Sequence, residues 1–188
     1  KHRLCVLCAY VFKKYFCAMK NPLLKILFRN GLIGGVLGCI ALATFYYIGR
    51  HPFLFAPYFD FRIVIFSVFI FMGLKEVRDY YQQGYLSFFQ GMIGSYVFII
   101  TSALMGSIFT WCIAHWDSKF ISTYIEKMNE EMVLLKTEFI ESMGEKTYQL
   151  QLQKLQSTSA SDLASDYFLK SLIIGLFLAI IISVILRK

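Results

Sequence analysis

Three groups of side chains in this sequence have the types and spacings that bind metals or move protons. His2, Cys5, Cys8 and Cys17 crowd the start of the chain, and Cys5-x-x-Cys8 is the spacing that lets two thiolates share a zinc ion. A second close pair is missing and the setting is apolar, so no metal site is read there. His115 and Asp117 flank Trp116, and an imidazole beside a carboxylate can hold a metal or relay a proton. At the end of a long apolar run they are read instead as wetted boundary residues, and Asp60 beside Arg62 is read as interfacial in the same way. No Ser–His–Asp arrangement, helical metal motif or phosphate loop occurs. "GLIGGVLG" (31–38) follows no strand and is not a nucleotide loop. The expectation is a non-enzymatic chain with no cofactor.

The elements that carry these residues follow from composition. Of 188 residues, 57% are hydrophobic and only 16% charged, against about a quarter charged in a soluble domain. The apolar residues fall in blocks, which indicates an all-α, polytopic membrane protein with the lipid bilayer as its first partner. A spanning helix needs about 20 apolar residues at about 1.5 Å each. Four spans are predicted, at about 31–49, 58–76, 86–116 and 169–186. The second has a short uncharged run, so it is expected to recruit residues from "PFLFAPYFDF" (52–61) or to tilt little. Five cysteines, two of them inside apolar blocks, do not suggest a disulfide framework.

Charge sets the orientation. Seven basic residues and no acid precede the first span; Lys75 and Arg78 lie in the second connection, Arg187 and Lys188 in the tail. The long third connection, about 117–168, is acidic. By the positive-inside rule both termini are cytoplasmic and this insertion lies outside. The net charge of +7 is therefore assigned to the membrane surface, with no nucleic acid as partner.

Within the insertion, Ile121, Ile125, Met128, Met132, Leu135 and Phe139 recur at intervals of three and four, the period of a coiled-coil seam. One amphipathic helix over 118–142 is predicted, then a break near Gly144 and a second helix over 146–156. Together they make a helical hairpin between spans three and four. The Ser and Asp residues of "STSASDLASD" (157–166) are placed to cap the last helix. In the first span Gly31, Gly34, Gly35 and Gly38 form overlapping small-xxx-small pairs. The third span carries Gly91/Ser95, Ser102/Gly106 and Ala103/Ser107. Such residues let helix backbones approach closely, and packing within one chain is preferred to a dimer seam. Gln90, just inside the third span, is expected to bond across to another helix, because an amide in lipid must find partners. The turn "KEVRDYYQQ" (75–83) is read as a hairpin whose Glu76 and Asp79 pair with nearby bases.

The run "GYLSFFQGMIGSYVFIITSALMGSIFTW" (84–111) after "KEVRDYYQQ" resembles a bacterial membrane family found mainly in Bacteroidetes, domain of unknown function 4199. The similarity extends from "MKNPLLKILFRNGLIGGVLG" (19–38) through the acidic insertion to the basic tail. It implies the fold and a location in the inner membrane but no activity. Residues 1–18 have no counterpart in the family pattern, and Met19 is a natural start, so that stretch is expected to be an over-extended beginning.

The function expected from these features is a non-catalytic accessory or scaffold protein of the bacterial cell envelope. The stripe over 118–142 would meet an envelope protein, a second copy of the chain or the outer lipid surface. The alternative is a small oligomeric transporter or channel lined by Gln90, Thr101, Ser102 and Thr110. A membrane-embedded enzyme ranks third, since the cores of spans one, three and four contain no ionisable residue.

Overall fold

The computed structural model describes residues 21–48 and 60–187. The cysteine cluster with His2, the stretch 1–18, and residues 49 and 58–59 of the expected spans lie outside them. Among the described residues every regular element is helical: α1 (Pro22–Tyr47), α2 (Phe61–Tyr81), α3 (Phe88–Trp116), α4 (Ser118–Leu134), α5 (Lys136–Met143), α6 (Glu145–Gln156) and α7 (Ala160–Leu186).

The ends of these helices are written locally. Pro22 opens α1, where its fixed φ suits the first turn and its missing N–H costs nothing. Asp60 caps α2, accepting from the Arg62 N–H at 3.0 Å. Gln83 (φ 50) and Gly84 (φ 87) close α2, and the Gly84 N–H returns six residues to the Arg78 carbonyl at 2.8 Å. Ser159 and Asp162 form a capping box at the start of α7. Gly144, at φ 82, makes the break between α5 and α6.

Among the described residues three helices, α1, α3 and α7, are long and apolar enough to cross a membrane. Of the four expected spans, three therefore meet that requirement of length and composition and one does not. The exception is α2, which carries Arg62, Lys75, Glu76, Arg78 and Asp79; the residues it was expected to recruit, up to residue 59, lie outside the described residues. Its uncharged run, 63–74, covers only about 18 Å at about 1.5 Å per residue.

The four long helices form an up-down-up-down bundle, and close approaches give their directions. A Cβ placed on Gly31 would lie 3.0 Å from the Phe98 carbonyl oxygen, and one on Gly35 would lie 2.9 Å from Met105 Sδ, so α1 and α3 are parallel. Across α3 and α7 the facing pairs are Gly91 with Ser183, Ile99 with Gly175 and Gly106 with Tyr167, an antiparallel order. The Phe45 and Phe61 rings lie 5.6 Å apart at one end, and Arg29 meets Glu76 at the other, so α1 and α2 are antiparallel. Leu27, Ile70, Leu74, Phe98, Ile99 and Ala179 fill the centre, with the Phe66 ring edge-on to Phe98 at 5.5 Å.

A second apolar cluster sits beyond the bundle, formed by Phe120, Tyr124, Met132, Tyr148, Leu155 and Leu163. It unites α4, α5 and α6 in a hairpin on the end of the bundle where α3 finishes and α7 begins. The single helix expected over 118–142 is two helices, broken at Leu135 (φ −97, ψ 16). Heptad spacing records which face is apolar and does not require the helix to run unbroken.

Candidate functional site

The apolar stripe is the first candidate, and the structure covers most of it from within. Met132 is 5% exposed, and its carbonyl accepts a hydrogen bond from the Tyr148 hydroxyl of α6 at 3.4 Å. Ile121, Ile125, Met128 and Phe139 are half-buried against the same cluster. Leu135 stands apart, 43% exposed at the helix break. The stripe is thus largely the hairpin's own core, which corrects the expectation that it offers a free face. Its period marked a buried face but not what buries it.

Besides Leu135, the apolar side chains of the hairpin that face outward lie off the stripe: Val133, Leu134 (80% exposed), Met143 and Leu150. Exposed Glu130, Glu131, Glu141 and Glu145 accompany them. The hairpin is also bolted to the bundle. The Tyr46 hydroxyl, at the end of α1, donates to Asp117 Oδ2 at 2.6 Å, and the Tyr46 and Phe120 rings lie 5.1 Å apart. That hydroxyl, and then the Lys119 N–H, hold the Asp117 carboxyl below the usual carboxylate range. Asp117 is therefore a tie and a cap, while His115 stacks on Trp111 at 5.4 Å; the two do not converge. Among the described residues no group of three His, Cys, Asp or Glu side chains could hold a metal ion.

A test of the hairpin core follows. Met132→Glu removes a buried side chain, worth about 2–5 kcal/mol, and strands a carboxylate there. Limited proteolysis should then cut within 136–156 rapidly while the bundle stays intact. Unchanged cleavage would show that Met132 does not hold the hairpin closed.

The glycines of the first span face neighbouring helices of the same chain. Gly31, Gly34 and Gly35 meet Phe98, Thr101 and Met105 of α3, whereas Gly38 has room, with its nearest neighbour, the Tyr167 hydroxyl, at 3.8 Å from a Cβ. Gly91 lies against Ser183. The tightest approach is Gly106, where a Cβ would stand 2.3 Å from the Tyr167 ring. Gln90 does not bond across to another helix. It is exposed in the first turn of α3, where it forms a capping box with Ser87: its N–H donates to Ser87 Oγ and its Oε1 accepts from the Ser87 N–H, both at 3.3 Å. The capping signal S-x-x-Q was present at 87–90, and it outranks the amide's position in an apolar window. Of the hydroxyls named as possible pore lining, Thr101 and Thr110 are spent within α3, on Val97 O at 2.7 Å and on Gly106 O at 2.9 Å.

The last candidate is one that sequence reasoning placed at the surface. Arg62 and Asp60 are drawn into the bundle, with side chains only 10% and 13% exposed. The Arg62 Nε–H donates to both Asp60 oxygens at 2.8 Å. One terminal nitrogen donates to the Tyr167 carbonyl at 3.2 Å and to Ser171 Oγ at 3.0 Å, and the other pairs with Asp60 Oδ2. The guanidinium lies 4.7 Å from the Tyr167 ring centroid, within cation–π range. Nearly all its donors are spent on groups of this chain, so the cluster holds helices together and leaves little for a ligand. Its partners on α7 lie more than 100 residues away in sequence; the one local hint was a cation in the first turn of a helix, where the dipole disfavours it. At the opposite end, Arg29 Nη2 meets both Glu76 oxygens at 2.9 and 3.0 Å, and Arg78 pairs with Asp79. The Arg29–Glu76 pair is exposed and contributes little.

A family model described as "Protein of unknown function (DUF4199)" matches residues 29–188, most of the chain. The chain belongs to that family. No curated protein and no solved structure matches it.

Proposed function

We propose that this DUF4199-family chain is a four-span protein of the bacterial inner membrane whose role is non-catalytic. It holds a pre-assembled helical hairpin on the outer side, as the docking element of an accessory subunit for another envelope protein. The observation that carries this reading is the hairpin itself. It is closed on its own core and tied to the bundle, yet Leu134 and its neighbours Val133 and Leu135 face outward. A rigid element that presents apolar side chains loses little freedom on binding.

Four spans are supported by helix direction. Since α1 and α3 run the same way, a chain that crosses with both must cross back with α2, despite its short uncharged run. The inner end then gathers Lys25, Arg29, Lys75, Arg78 and Arg187 at the end of the bundle away from the hairpin, which suits the positive-inside rule. A partner carrying basic and apolar residues would complement the exposed glutamates around the hairpin tip.

One experiment tests side and docking together. In a background whose other cysteines are replaced, Leu134→Cys is coupled in intact cells to a membrane-impermeant maleimide bearing a photo-crosslinker. Labelling is expected, followed by reproducible capture of one other envelope protein. Absence of labelling until the cells are permeabilised overturns the orientation. Labelling with capture of only this chain or lipid overturns the docking role.

A further inference from the structure

We propose that the Asp60–Arg62–Tyr167–Ser171 cluster is a latch that clamps the outer half of α7, and with it the base of the hairpin, against α2. The geometry separates α7 into two stretches held by different means. In the inner half the contacts are apolar or small: Gly175 against Ile99, Gly91 against Ser183, and buried Ala179 and Ile182. In the outer half they are polar and directed. Arg62 of α2 reaches the Tyr167 carbonyl and Ser171 Oγ, and Ser107 of α3 donates to the Ala164 carbonyl at 2.9 Å. The Tyr167 ring meets both the Arg62 guanidinium, 4.7 Å from its centroid, and the backbone of α3 at Gly106.

One turn above these bonds, Leu163 and Ala160 join the hairpin cluster with Phe120, Tyr124 and Leu155. The stretch 160–171 is therefore a shared wall, latched to α2 on one side and packed under the hairpin on the other. Ser171 Oγ does double duty, accepting from Arg62 and donating to the Tyr167 carbonyl at 2.7 Å, so the carbonyl receives both. Directed bonds of this kind are made or broken as a set, unlike the graded contacts below them. Breaking the set frees 160–171 and the hairpin as one unit and leaves the inner half of the bundle closed. The latch thus joins the outward element to the membrane bundle, and it does not depend on what the hairpin docks with.

Hydrogen–deuterium exchange on the full chain in nanodiscs of phosphatidylethanolamine and phosphatidylglycerol tests it. In Arg62→Gln, amides of 160–171 and of 118–134 are expected to exchange about tenfold faster or more, the scale of at least one lost charge-assisted hydrogen bond. Those of 172–186 and 22–47 should hold their rates. Ser171→Ala, a milder change, should give the same pattern with a smaller factor. Uniform acceleration through all helices in both variants would mean that the cluster merely stabilises the core. Unchanged exchange in 118–134 would mean that it does not reach the hairpin. Either result overturns the latch.

Discussion

Gly106→Leu leaves no folded bundle, whereas Gly38→Ala leaves it unchanged or slightly more stable. At Gly106 a Cβ would stand 2.3 Å from Tyr167 Cε1 and 2.6 Å from the ring's Cζ and hydroxyl, well inside contact distance. The ring is held in place by the Arg62 guanidinium, 4.7 Å from its centroid, and is 4% exposed. Even alanine is expected to cost about 1–3 kcal/mol there, the range for over-packing a filled core. Leucine adds three further carbons with nowhere to go. At Gly38 the nearest atom would be 3.8 Å from a Cβ, so alanine fits and gains up to about 1 kcal/mol of helix propensity. Size-exclusion profiles and thermal unfolding in detergent separate the two variants. Equal behaviour would mean that α3 and α7 do not meet at Gly106.

Asp60→Asn is the second large effect, with an expected loss of about 3–5 kcal/mol. The asparagine still caps α2, so the cap, worth about 1 kcal/mol when removed, is not what is lost. What remains is a guanidinium enclosed by protein with no counter-charge. Removing the cation as well, in Asp60→Asn/Arg62→Met, should recover the protein to within about 1–2 kcal/mol of the native chain. Replacing a buried pair by apolar groups is often close to neutral, and the residual loss is that of the bonds to α7. Unfolding in mixed micelles, followed for the single and double variants, gives the comparison. A double variant as unstable as Asp60→Asn would show that the pair is not the source of the loss.

Much of this molecule was legible locally. Composition in blocks marked the membrane-like helices, and three of the four predicted spans meet the requirements of length and apolarity. The fourth, α2, misses them because its charges sit within two turns of each end, which a window over 58–76 underweights. The break near Gly144 and the caps at Ser159 and Asp162 could be read from single residues, since a positive φ and an N-cap are decided within one turn. Gln90 was misread because a cap and a buried amide look alike until the helix start is located.

The sequence by itself determined which stretches are helical, that α1, α3 and α7 are apolar enough to cross a membrane, and which faces are apolar or small, because each of those properties is set by residues within one or two turns. Only the tertiary structure decided what each face meets: α6 over the stripe, Tyr167 against Gly106, and α7 around Arg62. Those partners lie as much as 109 residues apart. Periodicity states that a surface must be covered, but only the packing of the whole chain states by what.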